Sequence, residues 1–479
     1  MADFIQARHS LVIQEVKMET EEKLMIELQA CRECDVCRTL MDDSACLLFN
    51  EMYRLFDNEC DRGEKITSEA LQNLVELCNF CEICPCPNIR AALLAAKTEF
   101  KERYGLNYRI RILENVERMG RLCGVYPGVS NFLIQNKTTG NWIKKIVGIH
   151  EDCKMPEFPR HGFQAWAKTQ KIDKKPRTQT RRKVAYFAGC TGRHIFPEIP
   201  KSVVEVFKLN GIEVFFPEQG CCGMPSLLEG DRRMTLKCVG FNVDHLAELV
   251  EEGFHIVCSC PTCGYVLKHV IREGAIYAAD YQAAVKKALR EKKDALLSIP
   301  PEGRSSLWVR QFATTYSNKL FKDDQYFSSI SGLKRMMISD HTYDLGEYLK
   351  ILHEEGALNT TLGPIHANAA YYPPCHLREQ NIGEPYMDLL GLIPGISVSL
   401  VTGDFHCCGN AGIMGFKSDF HRNAIKMGSR LKARIKQLAP EQLLTDCLSC
   451  RMQFNQTTPY PVYHPIEILR ASYAAHEKN

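Results

Sequence analysis

Two stretches of this chain repeat one arrangement of five cysteines, and no other feature limits its fold so tightly. In the first, thirty residues separate Cys190 from Cys221-Cys222-Gly223, and Cys260-Pro-Thr-Cys263 follows. In the second, thirty-one residues separate Cys375 from Cys407-Cys408-Gly409, and Cys447-Leu-Ser-Cys450 closes the set. The approach to each also matches, Val184-Ala-Tyr-Phe-Ala-Gly-Cys190 against Ala369-Ala-Tyr-Tyr-Pro-Pro-Cys375. Such a duplication predicts two copies of one domain, each gathering five thiols.

The residues around the cysteines alternate between strand and helix patterns. In the first half, strands are expected at 184–187, 212–216 and 255–257, with helices at 201–209 and 232–251. The second half gives strands at 369–372, 397–401 and 442–445, with helices at 384–390 and 420–437. Each cysteine group falls just past a strand's C-terminal end, the edge at which open α/β sheets bind ligands. The reading is therefore α/β in two pseudo-repeated domains, at 184–275 and 368–479. Residues 276–367 read as a helical connector without a chemical motif.

Upstream, residues 1–30 read as an amphipathic helix. They lead to Cys31-Arg-Glu-Cys34-Asp-Val-Cys37, with Cys46 nine residues on, and later to Cys78-Asn-Phe-Cys81-Glu-Ile-Cys84-Pro-Cys86-Pro87. Cys-x2-Cys-x2-Cys wraps a tight loop around an iron–sulfur cube. In two-cluster ferredoxins a fourth cysteine, followed by proline, crosses to the other cluster. By that rule Cys31, Cys34 and Cys37 take Cys86, while Cys78, Cys81 and Cys84 need a ligand from the first run. Met41 stands where that ligand is expected, and the nearest cysteine is Cys46; Cys84-Pro85 competes with Cys86 for the crossing role. Cys-x2-Cys pairs also bind zinc, so a zinc ribbon is the alternative. A helical, ferredoxin-like two-cluster module over 1–100 is the expectation, with a helical connector and basic linker over 101–183. Cys123 and Cys153 stand alone there and read as indifferent thiols.

Composition narrows the function classes. A net charge of +3 with 24% charged residues suggests neither a nucleic-acid partner nor disorder. No apolar run approaches the roughly 18 residues needed to span a bilayer. The start, Met1-Ala-Asp-Phe-Ile-Gln, shows no secretory signal, so a cytoplasmic protein is expected, membrane-associated only through a partner. In that setting 23 cysteines in short spacings point to metal rather than disulfides.

With these residues in view the chain resembles the heterodisulfide reductase catalytic-subunit family. In layout it is closest to the iron–sulfur C subunits of anaerobic glycerol-3-phosphate dehydrogenases. The resemblance spans roughly residues 25–90 and 184–470. It extends to Gly223-Met-Pro225, Leu228-Glu-Gly-Asp231, Pro374-Cys-His376, Thr445-Asp-Cys447, Cys450-Arg-Met-Gln453 and His464-Pro-Ile466.

The family implies two cubane [4Fe-4S] clusters in the N-terminal module and one noncubane [4Fe-4S] cluster in each repeat. Cys190, Cys221, Cys222, Cys260 and Cys263 would hold the first noncubane cluster, with Cys258 as a competing ligand. Cys375, Cys407, Cys408, Cys447 and Cys450 would hold the second, the catalytic one. Gly223 and Gly409 let the backbone approach the cluster. His376, and similarly His406 and His464, would give a proton to a departing thiolate or serve as hydrogen-bonded structural residues. Cys238 reads as core.

The implied partners are a flavoprotein or other electron-donating subunit, a membrane quinone- or cytochrome-type subunit, and a small-molecule thiol or disulfide. No Gly-x-Gly-x-x-Gly segment follows any expected strand, so neither flavin nor NAD is expected on this chain. Disulfide reduction or formation, and electron relay between a dehydrogenase and a quinone-reducing partner, are the two functional expectations. A zinc-bound scaffold is a third.

Overall fold

The computed structural model describes residues 20–42, 46–78, 80, 84, 86–176, 182–290, 320–321, 323–401 and 407–477. Cys81 and His406, the first part of the N-terminal helical reading, and Arg177 and Arg181 of the basic linker lie outside them.

Two four-stranded parallel sheets form the body of the molecule. The first contains β1 (Lys183–Phe187), β2 (Glu213–Phe215), β3 (Phe254–Cys258) and β4 (Thr342–Asp344), in the order β2-β1-β3-β4. The second contains β5 (Ala367–Tyr371), β6 (Ile396–Leu400), β7 (Gln442–Leu444) and β8 (Val462–Tyr463), in the order β6-β5-β7-β8. The two orders are the same order. Val184 to Phe187 are fully buried, as a central parallel strand with helices on both faces requires. The chain leaves β1 toward β2 on one side and toward β3 on the other, so the switch point lies at β1, and likewise at β5.

The expected strands and helices of both repeats are present, and two details differ. β4 and β8 are additional strands, of three and two residues. The helix expected over 420–437 is two, His421–Met427 and Ser429–Leu438, broken at Gly428. In the helical connector expected over 101–183, the helix Tyr108–Leu113 ends and another restarts at Val116 under an Asn115 cap, whose side chain accepts from Arg118 N.

Each additional strand leads into a helix that packs on the other repeat. After β4, the helix Leu345–Glu354 starts with an Asp344–Glu347 capping box and lies on Pro385–Gly391 of the second repeat, with a Lys350–Asp388 ion pair. After β8, the helix Pro465–His476 starts with a His464–Glu467 capping box. It lies on Glu198–Leu209 of the first repeat, with an Arg470–Glu205 ion pair and Asn210 Nδ2 donating to the Tyr473 hydroxyl at 3.3 Å. The two repeats thus exchange their last helices.

The N-terminal helices Thr20–Cys34, Leu47–Arg62, Ser68–Glu76 and Pro87–Tyr104 bury Leu24, Leu28, Phe49, Met52, Leu74 and Leu94 among themselves. They are fastened to both repeats by a buried ion cluster. Lys97 is 1% exposed and stands 3.6 Å from Glu76 and 3.8 Å from Glu229, while Lys417 reaches the same Glu229 carboxylate. Burial works against charge on Lys97, and Glu229 and Glu76 overcome it. Glu229 belongs to the Leu228-Glu-Gly-Asp231 segment, whose Asp231 caps the helix Arg232–Glu251 through Met234 N at 2.9 Å. That segment of the resemblance joins three parts of the molecule.

Candidate iron–sulfur site

In each repeat the local fold delivers the cysteines the same way. Cys190 lies in the short helix Gly189–His194 after β1, and Cys375 opens the helix Cys375–Arg378 just past Tyr372. The Cys-Cys-Gly loops follow β2 and β6, with Gly223 at φ 95° and Gly409 at φ 90°. Cys260 and Cys447 are the N-cap residues of Pro261–Lys268 and Leu448–Thr457, which puts Cys263 and Cys450 in the first turn. Free N–H groups and the positive end of a helix dipole favour thiolates at that position.

Nine of these ten thiols form one continuous string. Cys190 Sγ lies 3.6 Å from Cys221 Sγ, and Cys450 Sγ lies 3.1 Å from Cys408 Sγ. Hydrogen bonds from Cys221 and Cys263 hold the Cys222 thiol down to about 6, against its burial. Cys260 is likewise held well below its ordinary value by Cys263 and by Cys447, with backbone donors at Thr262 and Leu448. Cys408 is lowered by Cys407 and Cys450. Three thiolates thus each sit between two thiols, and the Cys260–Cys447 contact carries the string from one repeat into the other. Cys375 is the tenth, beside Cys408 and pushed up to about 11 by burial.

Among the described residues no three or more His, Cys, Asp or Glu side chains surround a point where a single metal ion would sit. The donor set instead suits a polynuclear iron–sulfur group, whose irons each take a different thiolate. Five thiols per repeat, all buried except the half-buried Cys375, with a positive-φ glycine beside each pair, match that chemistry.

The other sequence candidates fall into place around this string. His376 stacks on Tyr265 at 5.2 Å, meets Thr262 Oγ1 at 2.9 Å, and burial lowers it to about 4, so its ring is neutral. His464 caps its helix and its Nε2 contacts the Ser259 carbonyl at 2.9 Å. Cys258 ends β3, is fully buried, and stands outside the string. Cys153 is buried against Gln456. In the N-terminal module Cys31 and Cys37 feel the charges of Cys34 and Cys86, and Cys78 feels that of Cys46. Cys84 packs partly against the core. Cys46 and Gly409 line one small cavity with Met414 and Met427, so the N-terminal thiols adjoin the second repeat's loop.

A cleft of about 810 Å³ opens onto the other end of the string. Helices Val116–Val125, Phe163–Thr169 and Arg232–Glu251 wall it, and Cys221 lies at its floor. Cys238, expected in the core, is only partly buried and faces this cleft. The cleft draws on five separate segments, which is why sequence reading missed it. At its edge Glu117 bonds Arg193, Arg121 and His194, which hold its carboxylate down to about 2 despite burial.

Glu114 also lines the cleft and is 5% exposed, with Oε2 unpartnered. Burial, then Asp231 and Glu229, push it up to about 8, opposed by Arg111. A raised acid stabilises the fold while protonated, and that contribution is lost as pH climbs from about 4.5 to 8. Urea unfolding at pH 5 and pH 8 is expected to show a loss of roughly 2–4 kcal/mol that Glu114→Gln removes.

The sequence profile of the CCG "Cysteine-rich domain" matches residues 184–268 and 369–455. Two stretches of this chain thus match the CCG cysteine-rich domain. It is 22% identical over 365 residues to the C subunit of the anaerobic glycerol-3-phosphate dehydrogenase of Escherichia coli (strain K12), covering 76% of each chain. Lactate utilization protein A 2 of Bacillus cereus (strain Q1) is 24% identical over 238 residues, 49% of this chain and 74% of the relative. Lactate utilization protein A of Bacillus velezensis is 24% identical over 240 residues, 49% of this chain and 75% of that one. Each matched stretch holds the first three strands of one sheet, and β4 and β8 lie beyond the matches. No helix among the described residues is long and apolar enough to cross a membrane.

Proposed function

We propose that this CCG protein is the iron–sulfur electron-transfer subunit of an oxidoreductase complex, carrying electrons between a flavoprotein dehydrogenase and a further acceptor. Two cubane clusters would be held by Cys31, Cys34, Cys37 and Cys86, and by Cys78, Cys81, Cys84 and Cys46. Two noncubane clusters would be held by the ten CCG-domain cysteines. When bound, such groups supply one-electron redox chemistry. The chain's own residues bury them, fix their spacing and set the charge around them.

The observation that carries this reading is the unbroken thiol string, joined near Gly409 to the N-terminal cysteines and ending in the Cys190–Cys221 pair. Electron transfer needs closely spaced centres in a water-poor interior. The printed names of the relatives, a dehydrogenase subunit and a lactate utilization protein, support the same class of complex.

A second reading is favoured by one contact. Because Cys260 and Cys447 touch, the two CCG sites lie edge to edge, close enough for both sulfurs of one disulfide to be engaged at once. Cys375, Cys407, Cys408, Cys447 and Cys450 would then be catalytic, and His376 would serve the departing thiol. Disulfide cleavage takes two electrons, which the two sites would supply singly.

Anaerobic iron and sulfide analysis with EPR, before and after adding thiols to the oxidised full chain, separates the readings. About sixteen irons for four [4Fe-4S] clusters, with no response to thiol, is the relay result. A new paramagnetic signal induced by thiol moves the conclusion to disulfide chemistry. Zinc in place of iron sinks both.

A further inference from the structure

The two repeats differ by one thiol. Past its Cys-Cys-Gly loop the first runs Thr235-Leu-Lys-Cys238, and the second runs Ala424-Ile-Lys-Met427. The structure gives these segments the same place. A methyl group added to Gly223 would meet the Thr235 carbonyl oxygen and Cys238 Cβ, each at 3.6 Å, and one added to Gly409 would meet the Ala424 carbonyl oxygen. Met427 in turn lines a small cavity together with Gly409. Cys238 therefore stands over the first loop as Met427 stands over the second.

Cys238 is also the third thiol at the Cys190–Cys221 end of the string. The Cys221 thiol feels the charge of Cys238, and Cys238 feels that of Cys190. Cys221 and Cys238 line the same cleft, of about 810 Å³. Only partly buried, Cys238 is under weak demand from packing. What sets its position apart is the company of two thiols that the relay reading already gives to an iron–sulfur group. A thiol in such company gives up its proton when a metal takes it as a ligand.

We propose that Cys238 is a sixth thiolate ligand of the iron–sulfur group in the first repeat. The assignment rests on the relay reading. Coordination forms an iron–sulfur bond at Cys238, the thiol proton passes to water in the cleft, and no electron moves. A thiolate on the cleft side takes the position through which an outside sulfur would approach the first site. The first repeat then only passes electrons on. Any sulfur substrate is left to the second, where Met427 supplies no thiolate.

The test is N-ethylmaleimide labelling of the full, anaerobically purified chain before and after a chelator removes its iron, read cysteine by cysteine with peptide mass spectrometry. Cys123, half-buried and outside the string, is the internal reference. The ratio of Cys238 to Cys123 labelling should rise about tenfold or more when iron leaves, since a metal-bound thiolate is withheld from the reagent. Cys238→Ala should keep its iron through the other five cysteines and gain a thiol-induced EPR signal beyond any in the unaltered chain. Full iron with an unchanged labelling ratio overturns the assignment alone. So does a Cys238→Ala chain whose EPR spectrum and thiol response match those of the unaltered chain, whatever the labelling shows. Absence of iron from the unaltered chain overturns the relay reading beneath it.

Discussion

Glu229→Ala is expected to lower the unfolding free energy by about 3–5 kcal/mol, the usual cost of removing one partner from a buried ion cluster. Lys97 and Lys417 would both remain inside the protein, Lys97 with only Glu76 at 3.6 Å and Lys417 without the carboxylate it bonds. Since Lys97 belongs to the N-terminal helices and Lys417 to the second repeat, the N-terminal module should also loosen. Denaturant unfolding measures the first effect, and limited proteolysis between the module and the first CCG domain measures the second. Glu76→Ala is the control. Glu76 is half-buried and touches only the lysines of one helix, so its loss should cost distinctly less. Equal costs for the two variants would mean that Glu229 is not the hub.

Gly409→Ala is expected to be the more damaging of two formally equivalent changes. Both CCG glycines hold a left-handed conformation, at φ 90° and 95°, which alone disfavours any L side chain by about 1–2 kcal/mol. At Gly223 an added methyl would meet Val239 Cγ2 at 3.3 Å, and a side chain can give way. At Gly409 it would fall 2.0 Å from the Ala424 carbonyl oxygen, which is backbone. The second loop must therefore move as a whole, and Cys407 and Cys408 with it. Gly223→Ala should keep most of its iron. Gly409→Ala should lose the second domain's share and unfold at markedly lower denaturant. Iron analysis and a denaturation curve on both proteins check this, and similar behaviour of the two would sink the argument.

Much of this was legible in the residues. Buried parallel strands read as short continuous apolar runs, so 184–187 stood out, and the repeated spacing told which strands were equivalent. The placement of each cysteine group just past a strand's C-terminal end was also legible, whereas the helices that Cys260 and Cys447 cap, Pro261–Lys268 and Leu448–Thr457, were not. What else escaped was short or long-range. β8 has two residues, too few for any periodicity to register. The Leu228-Glu-Gly-Asp231 segment was noticed only as part of a resemblance, because Glu229's partner Lys417 is 188 residues away. Sequence cannot announce such a pairing. Gly428 split an otherwise helical run that its neighbours' propensities favour, a case of tertiary packing overriding local preference.

The exchange of final helices changes what kind of object the duplication has produced. A repeat that keeps its own elements can be cut out, moved, or rotated against its twin. Here each copy is finished by a piece of the other, so neither half is a self-sufficient folding unit. Sliding the halves apart would strip Leu345–Glu354 from one and Pro465–His476 from the other in the same movement. The gap between the two thiol clusters is therefore set by how the backbone is threaded. Substitutions on the surface between the halves should leave it unchanged, and splitting the gene between the halves should leave two fragments that fold only together.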